Sequence, residues 1–186
     1  MKPLTWQIVF VLACLAWGTS IHDGLGADRP GATIRMGSFQ IQAPADWQPK
    51  QPRTKIVAYE FAVKPAEGDA RNGRVTVMAA GGSVEQNIER WYGQFKQPDG
   101  RSTKDVARVE KKKIAGQPVY LVDISGTFFD RPGPFAPGVE RKDYRMLAAI
   151  IVTREGQIFV KFYGPRKTVS RQAKAFRSMI EGLKKT

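Results

Sequence analysis

An α+β fold, with a mostly antiparallel central sheet of about seven strands and flanking helices, is predicted by three features of the sequence. Runs such as "FQIQA" and "VAYEFAV" alternate apolar and polar residues, the period of a half-buried strand. Two other stretches, after Ser83 and after Thr168, set apolar residues at helical spacing. One run, from Met146 to Val152, is apolar throughout and so needs cover on both faces of a sheet.

The opening residues, "MKPLTWQIVFVLACLAWGTSIHDGLGA", join Lys2, an apolar stretch from Ile8 to Trp17, and the small residues Gly24, Gly26 and Ala27. This is the three-part layout of a secretory signal, so residues 1–27 are expected to be removed after Gly26 or Ala27. A retained span would need about 20 predominantly apolar residues, and Thr5, Gln7, Thr19 and Ser20 interrupt the run. The stretch Val11-Leu12-Ala13-Cys14 also resembles a lipobox, which makes a lipoprotein anchored through Cys14 the lesser alternative. The run continues past that cysteine through Leu15, Ala16 and Trp17, whereas a lipobox closes it.

Residues 28–35 read as a polar lead-in and 36–186 as a single domain. "SFQIQAPADW" alternates Phe39, Ile41 and Ala43 against polar partners and stops at Pro44, a first strand. "KIVAYEFAV" and "GRVTVMAA" form a hairpin across the turn-rich "KPAEGDARNG". The period then changes, because Val84, Ile88, Trp91 and Phe95 share one helical face and Ser83 with Gln86 makes a capping box. "DVARVEKKKI" and "VYLVDISGTFF" follow as antiparallel strands joined through "AGQP". After the irregular "DRPGPFAPGVERK", the apolar "YRMLAAIIV" reads as a central strand, and "QIFVKFYG" returns after Glu155-Gly156. A closing helix from Thr168 puts Val169, Ala173, Phe176, Ile180 and Leu183 on one stripe, with Lys167, Arg171, Lys174 and Lys185 opposite.

Removing the leader takes away Lys2 and Asp23, one charge of each sign, and leaves the net charge of +13 on the folded part. Such an excess favours anionic partners: lipid headgroups, polysaccharides or nucleic acid. The leader also holds the only cysteine, Cys14, and the only histidine, His22. A trimmed protein therefore has no disulfide, no thiol nucleophile, no Cys/His metal site and no imidazole acid or base. No cofactor motif is present, neither a phosphate loop nor a dinucleotide glycine pattern.

Two candidate sites remain. Arg166 and Lys167, ahead of Thr168 as the expected N-cap, oppose the helix dipole unless an anion joins them there. The segment containing Arg131, Pro134, Phe135, Pro137 and Arg141 is a candidate interaction loop, since its prolines reduce the entropy lost on docking. Phe135 could equally fold back over one end of the core. These features point to an exported, non-enzymatic binding or accessory domain that meets a protein or an anionic polymer. A charge-driven binder of envelope polymers or nucleic acid is one alternative; nucleic acid is disfavoured by export and by aromatics that alternate inward. A carboxylate-dependent hydrolase is another, with Glu140, Asp143 and Asp123 as the acids to inspect, the first two expected to pair with Arg141 and Lys142.

The early "FQIQAPADW", the helix after the first three strands, "IAGQPVYLVDISG" and the final "FVKFYGPRKTVSRQAKAFRSMIEGLK" together resemble the PsbP/Mog1-like superfamily. The segments "RPGPFAP" and "YRMLAAII" are similar more narrowly to an uncharacterised branch of secreted bacterial proteins. The likeness covers most of the stretch from Met36 to Lys185. It implies an α/β/α sandwich and a partner-binding, non-enzymatic habit. It carries over no site residue, because it lies in element order and turn residues and not in a catalytic signature.

Overall fold

The computed structural model describes residues 31–131 and 137–186. The expected leader with Cys14, and Pro134 and Phe135 of the loop, lie outside the described residues.

In chain order the strands are β1 (Thr33–Met36), β2 (Phe39–Gln42), β3 (Gln48–Lys50), β4 (Tyr59–Val63), β5 (Gly73–Ala80) and β6 (Phe95–Lys96). They continue with β7 (Arg108–Ile114), β8 (Gln117–Asp130), β9 (Val139–Thr153), β10 (Gly156–Pro165) and β11 (Lys184–Lys185). The helices are α1 (Val84–Tyr92), α2 (Thr103–Val106), α3 (Arg166–Arg171) and α4 (Ala173–Glu181). Eight strands form the main sheet in the order β3-β4-β5-β10-β9-β8-β6, with β7 also paired to β8, and β1, β2 and β11 form a small second sheet. Every described pairing is antiparallel. The fold is therefore α+β, as the alternation predicts.

The long apolar run holds the middle of the sheet. Met146 to Ile151 are all at most 2% exposed, and β9 lies between β10 and β8 with cover on both sides. On one face Val84, Ile88 and Trp91 of α1, together with Phe95, close over Val122, Ile124, Ala148, Ile150 and Phe159. On the other, the small sheet with α3 and α4 encloses Phe61, Val75, Leu147 and Phe162. The capping box at the start of α1 forms in both directions, Gln86 N–H donating to Ser83 Oγ at 3.1 Å and Ser83 N–H to Gln86 Oε1 at 3.2 Å. The β7–β8 hairpin turns through Ala115 and Gly116, both at positive φ (49° and 79°), the geometry that matches strand twist.

Several expectations change: α1 ends at Tyr92, so Phe95, expected on its apolar face, lies in β6, and Val139 to Lys142, expected in the irregular segment, belong to β9. The supposed lead-in ends in β1, whose Ile34 is fully buried against the core. The first predicted strand, β2, pairs with β1 and β11 and so stands outside the main sheet. Thr103–Val106 forms a helical turn capped by Ser102, so the strand expected from Asp105 begins only at Arg108. The closing helix is two helices, broken at Gln172 (φ −96°, ψ 5°). Near its start a Cβ on Gly164 would stand 2.8 Å from the Cα of Gly73, so β5 and β10 approach more closely there than any side chain permits.

Candidate functional site

The α3 end of the molecule already contains its own anion. α3 starts at Arg166 with Pro165 as N-cap and no side-chain cap, so Arg166 and Lys167 lie inside the first turn and Thr168 is not the N-cap. Thr168 is fully buried, and both its N–H and its Oγ1 donate to Asp69 Oδ2, at 2.9 and 2.6 Å. Arg166 pairs with Asp143. The N-terminal turn of α3 thus meets Asp69 of the β4–β5 connection through Thr168, and Asp143 of β9 through Arg166. Lys167 is exposed, and its Nζ lies 3.5 Å from where a Cβ of Gly68 would stand. Arg171 donates to the Lys64 carbonyl at 2.7 Å, so the β4–β5 connection runs along α3.

Of the loop candidates, Arg131 and Pro137 are exposed at the two described ends. Arg141 is half-buried and donates to Asp130 Oδ2 at 3.3 Å across β8 and β9, in place of the expected Glu140. Asp143 likewise turns to Arg166 and not to Lys142.

Asp123 is a paired charge. Arg145 holds it with two hydrogen bonds, 2.9 and 2.7 Å, and reaches Ser170 Oγ at 2.9 Å with its remaining nitrogen. Asp123 also lines a cavity of about 240 Å³ between β7, β8 and α4, with Glu110, Arg108, Arg177, Leu121 and Phe176. Glu110 is itself met by Arg177 at 3.3 Å and Lys112 at 3.4 Å. Two acids share one cleft, yet each sits against cations, whereas acid–base work needs carboxyls in contrasting environments.

The least compensated charge is elsewhere, on β10. Alternation sends Phe159, Lys161 and Tyr163 to the α1 face, where Lys161 meets Trp91 of α1 and stays half-buried. Its Nζ lies 5.3 Å from the centre of the Trp91 ring and 5.8 Å from that of Tyr163, and donates to Gln94 Oε1 at 3.2 Å. Among the described residues no carboxylate pairs with it. Burial, with Arg90 and Arg74 nearby, pushes its amine down to about 8. Arg74 beside it is fully engaged, donating to Glu60 at 2.9 and 2.7 Å and to the Tyr163 hydroxyl at 2.6 Å. The Arg74 hydrogen bonds hold the Glu60 carboxyl below its usual range, against the effect of burial. Burial raises the Tyr163 phenol. Sequence reading passed over Lys161, although a lysine between Phe159 and Tyr163 on a strand apolar on both faces was the available signal.

Glu60 supplies an acid-sensitive element. Its folded-state pKa is depressed, so its contribution is complete above the unfolded value near 4.3 and fades as pH falls through the folded value. Glu60→Gln is expected to cost about 1–2 kcal/mol at neutral pH, because Arg74 loses its carboxylate at a site partly open to water. The variant should also lose part of the fall in stability on acidification, which urea unfolding at a series of pH values would measure.

Among the described residues no helix is long and apolar enough to cross a membrane, and no group of acidic, His or Cys residues could hold a metal. No family model matches the chain, and no curated protein matches it. Among solved structures, PsbP from the cyanobacterium Synechocystis sp. PCC 6803 is 11% identical over 88% of this chain and 96% of its own, with a TM-score of 0.51. A protein of unknown function from Pseudomonas aeruginosa is 15% identical over 81% of this chain and 93% of its own, at a TM-score of 0.45. A protein from Bacteroides thetaiotaomicron is also 15% identical, over 84% of this chain and 48% of its own, at 0.42. At 11% identity a likeness is one of fold, and this chain has the PsbP-like fold that its sheet order and flanking helices display.

Proposed function

We propose that this chain is an exported, non-enzymatic binding domain that docks on an anionic polymer or acidic protein. The observation that carries the reading is the patch where the β4–β5 connection lies along α3. Lys64, Arg71, Lys167 and Arg171 are exposed there, and no described carboxylate pairs with any of them. Of the two acids in the same connection, Asp69 is spent on Thr168, and Glu67 is exposed, so the four cations face one free carboxylate. With a net charge of +13, a patch of this kind raises the local concentration of anionic surfaces and steers their approach. The proline-rich loop, with Arg131 and Pro137 exposed at its described ends, adds a second contact. Export follows from the leader, and the non-enzymatic role from the residue types that its removal would eliminate.

Chromatography on immobilised heparin, a linear polyanion, tests the docking. Replacing Lys64, Arg71, Lys167 and Arg171 together by Gln is expected to weaken retention at least ~tenfold at low salt, with the difference shrinking as salt screens the charges. Equal elution of variant and wild type would remove the patch from the account. Mass spectrometry of the protein recovered from the envelope should show a chain beginning at Ala27 or Asp28. An intact Met1 would contradict export with trimming.

A further inference from the structure

We infer that Lys161, with Arg90 beside it, is a receptor for one small oxyanion, a carboxylate or phosphate group, entering beside the C-terminal end of α1. The argument begins from unmet demand. A lysine ammonium has three donors, and among the described residues only the Gln94 amide oxygen accepts from Lys161. A charge withdrawn from water is tolerated when it is paired, and among the described residues no carboxylate pairs this half-buried one. From α1 come the Arg90 cation and the Trp91 ring; β5 contributes Arg74 and Thr76; β10 itself contributes Tyr163; and β9 contributes Ala148. Glu60, on β4, stands two strands away, about 9–10 Å by strand spacing, and both its oxygens serve Arg74.

The helix end supplies no more than the partial negative charge of its last carbonyls. The Glu89 and Trp91 carbonyls already accept from the N–H groups of Gly93 and Gln94. Among the described residues Arg90, exposed, donates from its side chain only to Asn87 Oδ1, at 2.7 Å. The cluster is not sealed: Gln94, Lys161 and Tyr163 are half-buried, and the Arg74 side chain is 36% exposed. An oxyanion seated between Lys161 and Arg90 would accept from both and turn like-charge repulsion into two charge-assisted bonds. Its binding would favour the protonated amine, so affinity should fall as pH rises above about 8 and stay level below it.

Thermal unfolding of the full chain tests this at pH 7, comparing sodium acetate and sodium phosphate with sodium chloride at matched ionic strength. Anion at about ten times its Kd is expected to raise Tm by about 3–6 °C. The arm that responds identifies whether a carboxylate or a phosphate is taken. Lys161→Met should abolish the rise, and Arg90→Gln, at an exposed position, should weaken binding about three- to tenfold. The four-Gln patch variant should keep the whole rise, so docking on polyanions and capture of a small anion stand or fall separately. No rise in either arm would overturn the proposal, as would a full rise in Lys161→Met. Should that variant fail to fold, an undiminished response in Arg90→Gln overturns it instead.

Discussion

Lys161→Met is expected to make the protein more stable at pH 7, by on the order of 2–3 kcal/mol, although the substitution removes a charged residue and a hydrogen bond. Burial and the nearby Arg90 and Arg74 lower the amine from an ordinary 10.5 to about 8 in the folded chain. The sign follows from proton counting. Between about 8 and 10.5 the unfolded chain holds a proton on this lysine that the folded chain has released, so stability rises with pH across that window. Below about 8 both states are protonated, and the folded state bears the cost of a half-buried ammonium beside other cations. Methionine has nearly the length and shape of the lysine stem, brings no charge, and suits a contact with aromatic rings. Its stability should therefore stay flat between about pH 8 and 10.5 where that of the wild type climbs. Chemical unfolding at closely spaced pH values would show this directly. A wild-type curve that does not climb, or a less stable methionine variant, would mean that Lys161 has a counter-charge after all.

The same residue shows where the sequence stops speaking. The α1 face was readable because its period and its cap are both local: Val84, Ile88 and Trp91 recur at helical spacing, and Ser83 and Gln86 are three residues apart. The central position of β9 was readable because only a strand covered on both faces is apolar at consecutive positions. What failed was non-local or weak. β1 shows only Ile34 and Met36 as its apolar alternation, too little to tell a strand from a lead-in. The anion at α3 is Asp69, brought to Thr168 across 99 positions of sequence, and no spacing rule could have paired them. Arg166 looked unsatisfied because its partner, Asp143, comes from β9. Asp123 looked like a possible acid until Arg145 came across from β9 to hold it. Local signals thus recovered the layers, while charge compensation, on which every site argument depends, is settled by partners from other strands.

Trp91→Ala is the substitution expected to cost most, about 3–5 kcal/mol. Trp91 is 1% exposed and sets its ring edge-on to Phe159, with centroids 5.1 Å apart, so it joins α1 to the middle of the sheet. Only nine residues make up α1, too few to hold as a helix without that apolar face. Truncation opens a void between helix and sheet that the well-packed strands beneath cannot fill. Trp91→Phe should keep the seat against Phe159 and cost about 1–2 kcal/mol. The two variants also separate packing from electrostatics. The Trp91 ring lies over Lys161, and the void left by alanine lets water reach the amine, so its pKa should return toward 10.5. The alanine variant is then less stable at every pH but climbs less between about pH 8 and 10.5, whereas the phenylalanine variant keeps most of the climb. If both variants retain the full climb, the aromatic cover is not what encloses the charge, and its depression has to come from Arg90 and Arg74 alone.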